Sequence, residues 1–106
     1  MKVHQLNDMV RGWFVGDFQP TALHSTACEV AIKYYASGDR ESAHVHRIAT
    51  ELTAIVSGEV EMNGHRYGPG AIITVEAGEP TDFRALTDVV TVVVKTPSAR
   101  NDKYPA

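Results

Sequence analysis

From Thr26 onward the chain falls into short runs whose side chains alternate in character, each closed by glycine-bearing turn residues, and no window carries a helical period. In the stretch ACEVAIKYY, Cys28, Val30, Ile32 and Tyr34 alternate with Glu29, Ala31, Lys33 and Tyr35. A half-buried strand requires this, because successive side chains point to opposite faces. Further strands are predicted around Ala43 to His46, from Glu51 to Val56, over the EVEM run with Val60 and Met62, through AIITV, from Thr81 to Ala85 and from Val89 to Lys95. Turns are marked by SGD at 37–39, SG at 57–58, Asn63-Gly64, YGPG at 67–70 and EAGEP at 76–80. Asn-Gly is a strong hairpin signal because both residues tolerate positive φ. About eight strands at this spacing predict an all-β chain, a jelly roll or closed barrel that leaves few exposed edges.

A length of 106 residues allows one domain with one modest core. Residues 26–95 would form the barrel, residues 1–25 an N-terminal arm or edge strand, and residues 96–106 a polar tail that frays or packs along the outside. The segment WFVGDF at 13–18 is the candidate arm. A net charge of −3 implies no basic surface for nucleic acid or an anionic membrane. The longest apolar run, VVTVVVK at 89–95, is too short to span a bilayer. The N-terminus lacks the apolar stretch of a signal peptide, and the lone Cys28 cannot form an internal disulfide, so a reducing, cytoplasmic setting is expected.

Chemistry concentrates in ESAHVHRIATEL at 41–52. His44 and His46 are separated by one residue, so on a strand both imidazoles leave one face. The four residues RIAT allow a bend that brings Glu51, on the next antiparallel strand, opposite them. Two neutral imidazoles and a carboxylate form a facial set suited to Fe(II), Mn, Ni, Co or Zn, with positions left open. Taken alone, such a set is more often solvated surface than a site. The frame around it is more specific: Gly38 and Gly58 complete G-x5-H-x-H-x4-E-x6-G.

This run resembles the first motif of the cupin superfamily at Gly38, His44, His46, Glu51 and Gly58. The second cupin motif, G-x5-P-x-G-x2-H-x3-N, has a degraded counterpart in GAIITVEAGEPTDFRA, where Gly70 and Gly78 keep the frame. Glu76 stands in place of Pro, Thr81 in place of a fourth ligand His, and Ala85 in place of Asn. The resemblance implies a β-barrel holding a divalent transition metal, and it carries over His44, His46 and Glu51 as ligands. Thr81 is a poor ligand when neutral. Asp82 lies on the opposite face of its strand from Thr81 and reaches a metal only through a bulge. The remaining positions go to water or substrate, or the cavity works without metal.

Other residues are weaker pointers. Trp13, Tyr34, Tyr35 and Phe83 are cavity or core candidates, and Arg47 and Arg84 could hold an anionic substrate group. Tyr34, Tyr35 and Glu51 are the nearby acid–base types. Cys28 reads as a small buried apolar residue, while His4, His24 and His65 fall outside the motif. The resemblance implies a metal-dependent enzyme acting on a small polar metabolite, with carbohydrate-type isomerase, epimerase or lyase chemistry placed ahead of dioxygenase chemistry. The alternative is a non-catalytic module that binds a small ligand. A homodimer is expected, with no nucleic acid or membrane partner.

Overall fold

Alternation along the chain becomes eleven strands in the computed structural model, which describes all 106 residues. They are β1 (Trp13–Gly16), β2 (Leu23–His24), β3 (Glu29–Tyr35), β4 (Arg40–Val45), β5 (Thr50–Ser57), β6 (Val60–Met62), β7 (His65–Tyr67), β8 (Ile72–Val75), β9 (Thr81–Ala85), β10 (Val89–Thr96) and β11 (Tyr104–Pro105). A six-stranded sheet in the order β2-β1-β3-β10-β5-β8 packs against a five-stranded sheet in the order β11-β4-β9-β6-β7. From β3 onward the chain crosses between sheets at nearly every connection, the jelly-roll pattern expected of an all-β chain. The only helical piece is a 3-10 turn at Leu6–Asp8, and no helix is long and apolar enough to cross a membrane.

Residues 1–25 supply the near border of the large sheet. The segment read as a possible arm forms β1, paired with β3 on one side and with the short edge strand β2 on the other. The polar tail does not fray: Tyr104 and Pro105 pair with Val45 and His44 as β11. Asn63 and Gly64 take φ of 49° and 81° in the β6–β7 turn, the left-handed pair that a two-residue hairpin needs. At Gly58, with φ of 84°, an added Cβ would stand 2.1 Å from the Asp88 carbonyl oxygen, so the turn into β6 accepts only glycine.

Inward-facing residues change character along each strand. On β5 they run Glu51, Thr53, Ile55; on β9 Thr81, Phe83, Ala85; and on antiparallel β10 Val89, Thr91, Val93, Lys95. One end of the barrel is therefore plugged by Ile55, Val60, Met62, Phe83, Ala85 and Val89, with Tyr35, Tyr67, Ala71 and Ile73 packed against them. The Tyr35 and Phe83 rings are 4.5 Å apart. The other end is a polar chamber. Separating the two ends lets a small chain keep a dry core while carrying charged groups inside.

On β3 the inward set is Glu29, Ala31, Lys33 and Tyr35, and the more apolar set Val30, Ile32 and Tyr34 faces out, with Tyr34 70 % exposed. Cys28, just before β3, is half-buried and not fully enclosed. A register shift between β4 and β9 supplies a second surprise: Glu41 pairs with Phe83, but His44 pairs with Thr81. Ser42 and Ala43 on β4 thus oppose Asp82 alone on β9, a bulge that turns Glu41 and His44 to the same interior despite their odd separation.

Candidate functional site

His44 is the next-to-last residue of β4 and His46 follows the strand directly, and both rings are buried, at 7 % and 4 % exposure. Each is held through Nδ1: His44 on the Ser42 carbonyl at 3.0 Å, and His46 on the carbonyl of Asp102. A ring nitrogen beside a carbonyl oxygen is the protonated one and donates. When the rings are neutral the free lone pair therefore sits on Nε2, the arrangement by which backbone carbonyls orient ligating histidines. The rings meet edge-on with centroids 5.1 Å apart.

Glu51 does not reach His46 by strand pairing. The bend at RIAT carries the chain into the opposite sheet, where β5 pairs with β8 and β10, so the carboxylate approaches across the barrel interior. His46 Nε2 and Glu51 Oε2 stand 3.1 Å apart, with Glu51 14 % exposed. Their alignment is too poor for a hydrogen bond, and Nε2 is left without a partner.

The pair calls for a positive charge between its members. Two electron-rich atoms at this distance repel each other, and either a proton on Nε2 or a bound cation relieves that. The His46 pKa is accordingly raised, chiefly by Glu51, with burial opposing. Burial works against ionised Glu51, yet His46 and Lys95 outweigh it and its carboxyl is held low. Two donors at about 2.05 Å from one cation and about 90–110° apart lie roughly 2.9–3.4 Å from each other, so the His46–Glu51 spacing suits neighbouring ligands. No three His, Cys, Asp or Glu side chains converge as a ready-made ligand set. The fold closes His46 with Glu51, and His44 stands one ring away.

Thr81, in register with His44, is buried, and its hydroxyl leans to the Asp82 carbonyl at 3.3 Å. Asp82 points outward, where its carboxylate accepts the Asn63 N–H at 2.7 Å, so β9 offers no bulge that would make it a ligand. Arg47 and Arg84 also leave the candidate list. The Arg47 guanidinium lies 3.9 Å over the Tyr104 ring, and Arg84 pairs with Glu61 on the surface at 3.5 Å. Tyr34 faces solvent, whereas Tyr35 and Trp13 do border the chamber.

The chamber has a volume of about 190 Å³, and its wall includes His44, His46, Glu51, Thr53, Thr81, Tyr35, Glu41, Lys33 and Lys95. The Tyr35 hydroxyl donates to Glu41 Oε1 at 3.5 Å. Burial, followed by the nearby Glu41 and Glu51 carboxylates, raises the Tyr35 pKa and keeps the phenol protonated.

Asp102, in the tail, carries no motif and was invisible in the sequence. Its carboxylate accepts the N–H of Arg47 at 2.8 Å, of Ile48 at 3.1 Å and of Ala49 at 2.9 Å, while its carbonyl orients His46. From the other side, Gly78 in the EAGEP turn donates its N–H to the His46 carbonyl at 2.6 Å, with φ of 87°. Glu41 was missed because simple parity from His44 sends it outward. The bulge that reverses it leaves no mark in the residue pattern.

Neither a protein-family model nor a curated protein matches the chain. Among solved structures, it is similar to an uncharacterized conserved protein with a double-stranded β-helix domain from Klebsiella pneumoniae: 18% identity, TM-score 0.69, 92% of this chain and 85% of that one covered. It is similar to an RmlC-like cupin from Shewanella frigidimarina at 19% identity and TM-score 0.67, over 74% of this chain and 73% of that one. It is also similar to the DMSP lyase DddQ from Ruegeria pomeroyi at 21% identity and TM-score 0.72, over 89% of this chain but only 49% of that one.

Proposed function

Starting from a cupin fold, the double-stranded β-helix, with a polar chamber at one end, we propose that this chain is a small metal-binding cupin enzyme. His44, His46 and Glu51 would hold a divalent transition metal there, and the substrate would be a small polar metabolite. The observation that carries this reading is the His46 Nε2 atom, buried without a partner 3.1 Å from the Glu51 carboxylate. Isomerase, epimerase or lyase chemistry is favoured over dioxygenase chemistry, because a protonated phenol and a carboxylate share the chamber.

When bound, the cation supplies Lewis-acid polarisation of a substrate carbonyl or hydroxyl oxygen. The chain's own groups do the proton work. Glu41 accepts a proton from a carbon made acidic by the adjacent oxygen, and the Tyr35 hydroxyl, released from Glu41, donates to the oxygen where charge develops. Phe83, stacked on Tyr35, fixes the phenol, and burial of the chamber strengthens both interactions.

Elemental analysis of untagged protein beside His44→Ala and Thr81→His tests the metal. Near-stoichiometric metal in the wild type, lost in His44→Ala, is expected. For catalysis, Tyr35→Phe and Glu41→Gln should each lower kcat about 10²–10⁴-fold on an identified substrate while metal content stays unchanged. Thr81 favours a second reading, a non-catalytic module that holds a small ligand. Absence of metal in the wild type, with uptake only in Thr81→His, selects it.

We also infer a homodimer. The outer face of the large sheet carries Ile32, Tyr34, Val92, Val94, Leu52 and Ile72 with no charge among them, and Tyr34 and Ile72 are 70 % and 69 % exposed. Strands about 4.8 Å apart make the four strands that carry these residues about 19 Å wide, and a paired length of about 17 Å gives about 325 Å² before side-chain relief. Doubled over two copies that is about 650 Å², and side-chain relief with the flanking β1 and β2 raises it toward the roughly 1,000 Å² of a specific interface. An uncharged flat face lacks a means to select a charged partner, and a second copy supplies a matching surface.

A further inference from the structure

Cations outside any direct ion pair gather around the chamber of this acidic chain. Of ten lysines and arginines, Arg66, Arg84 and Arg100 are ion-paired, and Arg47 lies on Tyr104. Arg11, Lys33, Lys95 and Lys103 all border the chamber, and none is in an ion pair. Arg11, Lys95 and Lys103 continue, together with Trp13 and His46, into the wall of an adjoining groove of about 760 Å³.

The acidic groups of that groove are already engaged. Asp17 is held by His24 at 2.8 Å and Arg100 at 3.3 Å, Glu29 accepts from Ser98 and Ala99, and Asp102 caps the loop after His46. Lys95 lies in register between Glu29 and Glu51, yet its ammonium sits 4.8 Å from the centre of the Trp13 ring. Lys33 Nζ lies 5.1 Å from the same ring. Two ammoniums sharing one indole repel each other, and Lys33 is half-buried besides. An anion within reach of both relieves both costs.

We propose that Lys33 and Lys95, held over Trp13, bind the carboxylate of a small hydroxy or oxo acid whose other end reaches His46 and Glu51. This deepens the reading above by naming the substrate class. A monoanion is favoured over a phosphate dianion because Glu41 and Glu51 already place negative charge in the chamber. The 190 Å³ volume, about six waters at roughly 30 Å³ each, suits an acid of a few carbons. Arg11 and Lys103, both exposed at the mouth, steer such anions inward.

The test is calorimetric titration of the Mn²⁺-treated and the EDTA-treated protein with D-glycerate, glycerol and inorganic phosphate. Wild type is compared with Lys33→Met, Lys95→Met and, at the exposed position where folding is not at risk, Lys103→Met. Expected are glycerate affinity at least tenfold above that of glycerol, a tenfold or greater loss in Lys33→Met and Lys95→Met, and a smaller loss in Lys103→Met. Melting curves check that each variant is folded, and Mn²⁺ affinity should not fall, since losing a nearby ammonium removes repulsion of the metal. Equal binding of glycerate and glycerol, or unchanged glycerate affinity in both folded inner-lysine variants, overturns the proposal. Tighter binding of phosphate than of glycerate overturns the carboxylate assignment. Mn²⁺ binding without glycerate binding sinks only the substrate class. Lysine-dependent glycerate binding without Mn²⁺ supports the carboxylate site and sinks the metal reading.

Discussion

Asp102 shows how much one side chain outside any motif contributes to the site. Its carboxylate receives three successive backbone N–H groups of the loop after His46, an anion in a nest of amides. Burial opposes the charge, but the N–H groups of Ala49, Arg47 and Ile48 outweigh it and hold the carboxyl below its ordinary value. Removing the acceptor strands those donors, so Asp102→Ala should cost about 1–3 kcal/mol at pH 7. A depressed carboxyl stabilises the fold fully above its unfolded value of about 3.9, and that contribution is lost as pH falls through the lower folded value. Urea midpoints of wild type and Asp102→Ala should therefore lie apart at neutral pH and converge in acid. A gap that persists undiminished below pH 3 would assign the effect to packing.

Among the elements, the bulge in β4 and the strap formed by β11 shape the chamber. Truncation after Ala99 removes Asp102 and Tyr104, frees Nδ1 of His46 and exposes the edge of β4. The truncated chain is expected to melt lower and to bind a divalent metal at least tenfold more weakly, read by competition with a chromophoric chelator. At the dry end, Phe83→Ala opens a cavity under Tyr35 and should cost about 3–5 kcal/mol in denaturant unfolding, with metal affinity nearly unchanged in protein that remains folded. Most strands were legible because alternation and turn glycines are local. The parity of Thr81 and Asp82 also followed directly. The inward turn of Glu41, the crossing that brings Glu51 from the opposite sheet and the reach of Asp102 over fifty-six positions to His46 were not legible, since each depends on long-range pairing. Hydropathy alone also misleads on β3, where Lys33 faces in and Ile32 faces out.

At the scale of the molecule, polar groups are inside one end and apolar groups are on one outer face. A barrel with a hydrated chamber and an uncharged sheet surface makes physical sense as half of a pair, with the covered sheet supplying burial that the interior gives up to the site. Sedimentation velocity should give a dimer for the wild type and a monomer for Val92→Glu, whose charge falls on β10 within the face. A wild-type monomer at micromolar concentration would remove this inference without touching the chamber.

Whether His44, His46 and Glu51 share one cation can be seen by anomalous diffraction from crystals grown with Mn²⁺. A single strong peak is expected within about 2.0–2.3 Å of both Nε2 atoms and the Glu51 carboxylate. A map without a peak there, and with His46 still against Glu51, would mean that a protonated His46 balances the carboxylate and that the chamber binds its ligand without metal.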